Sequence, residues 1–385
     1  MATENNNKTL NVPNLRFPEF SGEWESNELH KVASLSKGAG ISKDQLSDSG
    51  HPCILYGELY TKYKSEIIRE VYSKTQLDVA NLVKSHTNDV IIPCSGEAAI
   101  EIATARCVLI PDVLLGGDLN IIRLNGRHDG GFFAYQLNGK RKVDIAKVAQ
   151  GVSVVHLYGE HLKKVKVAYP SLEEQQKISS ILALLDERIA TQIKIIEDLK
   201  KLKSAIRAKV FKQLESSCEF WSEIGNMLQY EQPSKYLVTS TEYSDSYATP
   251  VLTANKAFIL GYTDEEFGIY SKGECVIFDD FTMDVKYVNF PFKVKSSAIK
   301  ILTSNSGNDL YFVYEYLQNL GLVSEEHKRH YISEIEPMIV TCPTFEEQQN
   351  ISNLLRSFDR KIEYANRELT LYNKQKQYLL SQMFI

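Results

Sequence analysis

This chain writes one helix start twice. PSLEEQQKISSILALLDERI fills residues 170–189 and PTFEEQQNISNLLRSFDRKI residues 343–362, displaced by 173 positions (343 − 170). In each copy a proline precedes Ser171 or Thr344, whose hydroxyl can cap the N–H of Glu174 or Glu347 while that glutamate reaches back. Both therefore read as capping boxes. Behind each start runs an apolar seam at alternating spacings of four and three. Ile178, Leu182, Leu185, Ile189, Gln192, Ile196, Leu199, Lys203, Ile206 and Val210 are answered by Ile351, Leu355, Phe358, Ile362, Ala365, Leu369, Tyr372, Lys376, Leu379 and Met383. An apolar stripe needs a partner, and two of equal length and phase supply each other's. The spacing predicts two helices of about 40 residues, each on the order of 60 Å long, paired as an antiparallel coiled coil.

The repetition extends upstream. GGDLNIIRL and GGFFAYQL, within residues 116–137, answer KSSAIKIL and LYFVYEYL, within residues 295–317. DVIIPCSG (89–96) likewise parallels ECVIFDDF (274–281), each a β-branched run ending in turn residues. With 385 residues and 43% apolar side chains there is material for more than one core. The expected fold is α+β: mixed α/β domains at 1–168 and 212–341, long helices at 169–211 and 342–385, and a pseudo-twofold internal repeat.

Composition excludes several classes. No apolar run reaches the roughly 18–20 residues of a membrane span, and MATENNNKTL lacks the apolar core of a secretory signal, so a cytoplasmic location and no membrane partner are expected. The six cysteines are scattered, without a CxxC pair or a histidine at ligand spacing, and read as reduced and mostly buried, with no metal site. Charge is uneven: residues 1–168 carry 20 basic and 19 acidic side chains, whereas 212–341 carry 10 and 19, a net −9 that argues against a uniformly basic nucleic-acid-binding surface.

The opening PNLRFPEFSGEWE (13–25), the second-half segments YEQPSKYLV (230–238), TPVLTANKAFILGYTDE (249–265) and VIFDDFT (276–282), and the recurrent PSLEEQQKI and PTFEEQQNI resemble the specificity (S) subunits of type I restriction-modification systems over nearly the whole chain. The resemblance implies two target-recognition domains, each reading half of a split sequence in double-stranded DNA. The paired helices would act as spacer and docking site for two methyltransferase (M) subunits, with restriction (R) subunits completing the complex. It implies no catalysis and no cofactor in this chain, with S-adenosylmethionine, ATP and Mg held by the partner subunits. Two like modules on an antiparallel pair can face two half-sites along one duplex, which gives the repeated helix start a physical reason.

Rival chemistry finds little support. NFPF (289–292) has Phe290 where an amino-methyltransferase NPPY-type motif needs proline, and no FxGxG-like loop accompanies it. Asp279 and Asp280 are adjacent, so in a strand they point to opposite faces and suit a turn or a base contact better than paired acid catalysis. GGFFAYQLNGK (130–140) lacks the GxxxxGK[ST] spacing of a phosphate loop. His156 and His330 precede the long helices and read as structural. A coiled-coil adaptor that binds no DNA would share the helices and remains the alternative.

Segregation can reconcile the acidic second domain with DNA, because Lys286, Lys293, Lys295 and Lys300 fall in one acid-free stretch after Asp284. In the first domain the comparable groups are Lys62, Lys64, Arg123, Arg127, Lys140, Arg141 and Lys142, with Tyr56, Tyr60 and Tyr63 nearby. Candidate base readers, each carrying donors or acceptors in or beside a polar loop, are Tyr56, Ser95 and Arg127 in the first domain and Asn255, Lys256, Asp279 and Thr282 in the second.

Overall fold

A computed structural model describes residues 10–151, 154–253, 258–324 and 329–385. The chain divides into one unit of Met1–Lys194 with Arg367–Ile385 and another of Ile195–Asn366. The two long helices, Leu172–Ser217 and Phe345–Gln382, each contribute to both.

In the first unit, five strands lie in the order Ala33–Lys37, Leu119–Leu124, Asp89–Pro93, Arg106–Val108 and Ile67–Ile68, antiparallel except for the last pair. Val90–Ile92 and Leu119–Ile122 are buried on both faces, as befits a strand with packing above and below. One face is covered by the helix Gly130–Asn138, capped by Asp129, whose carboxylate accepts the N–H of Phe132 at 2.7 Å. A second sheet holds His51–Ile54 parallel to Leu114–Leu115. Within this unit the long helices run antiparallel, since Asp186 meets Lys376 and Gln192 meets Glu368.

The second unit repeats the plan. Leu228–Glu231, Ile299–Ser304, Cys275–Asp279 and Val285–Val288 form an antiparallel sheet whose order matches the first four strands of its counterpart. The helix Leu310–Asn319 is capped by Asp309 through the N–H of Phe312 at 2.8 Å, and Thr249–Leu252 lies parallel to Lys293–Val294.

The repeated EEQQ has a tertiary purpose beyond starting a helix. Gln175 accepts the backbone N–H of Asp129 at 3.0 Å and donates to the carbonyl of Pro170 at 2.9 Å. Gln348 does the same with Asp309 and Pro343, both at 2.9 Å. One buried amide thus latches each long helix to the cap of the aromatic helix before it. The two starts differ in one respect. Thr344 and Glu347 complete the reciprocal box, whereas the carboxylate of Glu174 turns away from Ser171 and takes a bidentate pair from Arg16 at 2.8 Å. The first capping box is therefore only half made, because the guanidinium of the opening RFPEF segment outcompetes a single N–H for a buried carboxylate.

Each unit also buries an aromatic from the end of the helix that starts elsewhere. Phe384 packs on Phe132 at 5.1 Å, and Phe211, which precedes it by 173 residues (384 − 211), packs on Phe312 at 5.5 Å. The two seam lysines are explained in the same way. Lys376 lies 2.5 Å from Asp186 and 2.6 Å from Glu66, with the Tyr135 hydroxyl donating to Asp186 at 2.8 Å. Lys203 lies 2.5 Å from Asp359 and 2.6 Å from Glu315, with the Tyr311 hydroxyl on Asp359. Both pairs keep the 173-residue offset (376 − 203 and 359 − 186).

Candidate nucleic-acid interface

The first unit opens a cleft of about 1000 Å³ where three chain segments leave their strands: Gly40–Leu46 after Ala33–Lys37, Leu55–Lys62 after His51–Ile54, and Gly116–Asp118 after Leu114–Leu115. Its base is tied by backbone bonds from the Gly116 N–H to the Ile54 carbonyl at 2.9 Å and from the Ala39 N–H to the Leu115 carbonyl at 3.0 Å. Glu58 beneath the cleft accepts the Leu55 N–H at 2.9 Å and the Ser73 hydroxyl, and pairs with Lys62 at 2.7 Å. A carboxylate so committed shapes the turn that presents Tyr56, which is 39% exposed.

The second unit carries the same framework. The Lys295 N–H donates to the Leu252 carbonyl at 2.8 Å and the Val238 N–H to the Val294 carbonyl at 2.9 Å, the counterparts of the two bonds above. Lys295 thus occupies the place of Gly116, and its exposed ammonium lies 5.7 Å from the Tyr243 ring.

The structure gathers some of the expected residues and scatters others. Tyr56 and Lys62 meet at the cleft. Tyr60 turns inward: burial pushes its pKa up, its hydroxyl has no hydrogen-bond partner among the described residues, and a Cβ added to Gly96 would stand 3.4 Å from it. That contact brings it beside Ser95, on a short strand paired with His156. Tyr63 is buried and stacks on Tyr72 at 5.5 Å, while the exposed Lys64 donates to the Tyr60 carbonyl at 2.8 Å. Arg123 forks onto Asp89 at 2.9 and 2.8 Å, an arrangement that raises its pKa and spends its donors inside the domain. Arg127 is exposed in the following turn. Lys140 is exposed beyond the aromatic helix, and its neighbour Arg141 holds the Ile385 carbonyl at 2.8 Å and Asp144 at 3.5 Å.

Corrections are larger in the second unit. Lys293 is fully buried, 2.6 Å from Glu265 and donating to the Phe267 carbonyl at 2.7 Å, so its charge is spent internally and leaves the phosphate-facing set. Lys300 is likewise buried, 3.2 Å from Asp280, whose other oxygen accepts the N–H groups of His330 and Tyr331 at 3.0 and 2.8 Å. Asp279 is buried and accepts the Phe281 and Thr282 N–H groups, which makes it the clasp of a hairpin turn and not a base reader. Lys286 pairs with Asp284 at 2.9 Å. Thr282 and Lys295 stay exposed, and Asn255 and Lys256 lie outside the described residues.

The Glu265 carboxyl of this unit is strongly perturbed. Burial alone would raise its pKa, but hydrogen bonds from Lys293, Thr239 and Ser240 prevail and hold it down to about 2. A depressed carboxyl stabilises the fold above its ordinary pKa near 4.5 and loses that contribution as pH falls toward 2. Glu265→Gln should therefore flatten the fall in urea midpoint between pH 5 and pH 2.5; a slope equal to wild type would remove Glu265 from the acid response.

The family model described as Type I restriction modification DNA specificity domain matches residues 21–201 and 221–371. The type I restriction enzyme EcoR124I/EcoR124II specificity subunit of Escherichia coli is 42% identical over 176 residues, 42% of this chain and 44% of that protein's length. The putative type I restriction enzyme MjaX specificity subunit of Methanocaldococcus jannaschii is 24% identical over 425 aligned positions, 97% of this chain and 96% of that protein. Among solved structures, the S subunit of a type I restriction-modification system from M. genitalium has a TM-score of 0.66 at 17% identity, covering 97% of this chain and 99% of its own. A chain from work on complex assembly and conformational transition of the type I R-M system has a TM-score of 0.55 at 14% identity, covering 94% and 97%. At these identities the solved structures speak for the fold alone.

Proposed function

The chain belongs to the type I restriction-modification DNA specificity family, whose subunits are non-catalytic, and on that footing we propose that it reads a bipartite sequence in double-stranded DNA for a type I enzyme. Each mixed domain takes one half-site. The paired long helices serve as spacer and as docking surface for two methyltransferase subunits, with restriction subunits joining that core. S-adenosylmethionine, ATP and Mg belong to those partners, and a cytoplasmic location is part of the proposal because its target is DNA.

The observation that carries this reading is the matched pair of strand-end frameworks, Ile54–Gly116 and Leu252–Lys295, in domains whose aromatic helices are each latched to a long helix through Gln175 or Gln348. Two modules built alike and attached alike suit two half-sites on one duplex. Methylome sequencing of the host with and without this gene tests it: one bipartite methylated motif should vanish with the gene, and an unchanged methylome would overturn the reading.

The net charge of −9 over residues 212–341 favours the second reading, a helical adaptor that binds no DNA. Salt dependence separates the two. If Lys295 touches a phosphate, Lys295→Ala should lower the slope of log K against log salt by about 0.9, whatever the base sequence. The adaptor reading expects no salt-dependent DNA binding to change.

A further inference from the structure

The two halves of this chain do not resemble each other evenly. Side chains that lock the domains to the helices recur with their identity kept: Gln175 and Gln348, Asp129 and Asp309, Phe132 and Phe312, Asp186 and Asp359, Lys376 and Lys203. The strand-end segments do not. Residues 38–50 and 232–248 follow corresponding strands yet differ in length and in nearly every side chain, and Gly116 stands where the other unit has Lys295. A pair of readers for two different half-sites requires this distribution: a repeated frame carrying unlike edges.

The glycines of the cleft supply an independent observation. Gly38 is demanded by packing, because a Cβ there would lie 2.0 Å from the Gly116 carbonyl oxygen. Gly40 and Gly57 are demanded by nothing in the protein. A Cβ on either would meet no atom within 4 Å, and neither backbone is left-handed, Gly57 having φ −64°. Both line the cleft, and both therefore keep open a space that the fold itself does not need. Around that space stand the exposed Tyr56 ring, the rim ammonium of Lys43, Gln45, whose amide oxygen accepts the Ser42 N–H at 2.9 Å and leaves its NH2 to donate, and Thr61, whose hydroxyl donates to the Gly57 carbonyl at 3.0 Å and keeps lone pairs to accept, beside the already paired Lys62. An aromatic face, amide and hydroxyl hydrogen-bonding groups and a cation are what base edges and their flanking phosphate call for.

Building on the function proposed above, we infer that this cleft reads the first half-site, with Gly40 and Gly57 admitting base edges and Tyr56, Gln45 and Thr61 contacting them. Arg123, Arg141 and the buried tyrosines have no part in it.

The test uses the full chain assembled with its methyltransferase partners, duplexes carrying the motif found by methylome sequencing, and the variants Gly40→Leu and Gly57→Leu. Each should keep the wild-type melting temperature, lower affinity for the cognate duplex about ten-fold or more, and alter the first half of the methylated motif while sparing the second. Gly126 also has open space around it but lies in the turn beside Arg127, outside the cleft. If Gly126→Leu changes the first half-motif and the cleft variants do not, reading occurs at that turn and the inference falls. Unchanged affinity and motif in properly folded cleft variants overturn it too. Should a leucine variant unfold, the milder Gly57→Ala and Thr61→Val carry the same expectation for the first half-motif and can fail it in the same way. A wild-type assembly that recognises no bipartite motif would instead sink the function on which the inference rests.

Discussion

Replacing Lys376 by alanine should destabilise the first unit by about 3–5 kcal/mol, because it strands two buried carboxylates without their counter-charge. Glu66 and Asp186 are both buried, and each lies within 2.6 Å of that ammonium. Burial lowers the pKa of Lys376, yet the two acids prevail and raise it; burial raises Glu66, and at Asp186 the pull of Lys376 and hydrogen bonds outweigh burial and lower it. The cluster is closed by Tyr135, and the buried Arg106, which also faces Glu66 and Asp186, makes it two cations against two carboxylates. Loss of one cation therefore leaves a charge imbalance that the interior cannot hydrate. For a unit of this size the drop in Tm should be roughly 6–20 °C by calorimetry. Adding Asp186→Asn to Lys376→Met should recover more than half of it, since the remaining Glu66 charge is then balanced by Arg106. A single variant within 1 kcal/mol of wild type would contradict the account. Lys203→Ala makes the same demand of the second unit, where Glu315 is fully buried 2.6 Å away and Arg207 plays the balancing part at 3.3 Å.

These clusters also mark where sequence reasoning stops. Lys203 and Lys376 stand out on the page as polar members of apolar seams, because periodicity is local and a seven-residue pattern exposes any exception. Their second carboxylates are not legible, since Glu66 comes from a strand edge 310 residues before Lys376 whereas Glu315 comes from the aromatic helix. The fold repeats the Asp and Lys and finds the other acid in different places. Gln175 and Gln348 lie inside the motif that announces the repeat, but their purpose depends on a backbone N–H 46 and 39 residues away.

The candidate site was legible in kind and not in detail. Charge runs name lysines without naming their partners, so Lys293 and Lys300 read as a DNA-facing stretch although Glu265 and Asp280 already hold them inside. The acid-free appearance of residues 285–300 reflects pairing with acids elsewhere in sequence. Conversely, KGAGISKDQ (37–45) carries no motif, and the role inferred for Gly40 rests on the open space around it, which only the structure shows.

Lengthening both long helices by one heptad should leave the half-site sequences intact and widen the unspecified gap between them by about three base pairs. The expectation follows from the seam: seven residues add about 10 Å at roughly 1.5 Å per residue, against about 3.4 Å per base pair, while a full heptad preserves the apolar phase. The insertion points are dictated by pairing in the first unit, where Gln192 donates to Glu368 at 3.0 Å. Heptads placed after Gln192 and after Arg367 keep that contact, together with Asp186 and Lys376 behind it and Lys203 and Asp359 ahead. Three base pairs rotate the second half-site by about a third of a turn, so affinity should fall even as spacing changes. A single-helix insertion is the control, since it puts one seam out of step with the other and should abolish methylation of any motif. If the doubly extended chain, assembled with its methyltransferase partners, still methylates the original spacing alone, or reads altered half-sites, the long helices do not measure the gap and the spacer role proposed for them is wrong.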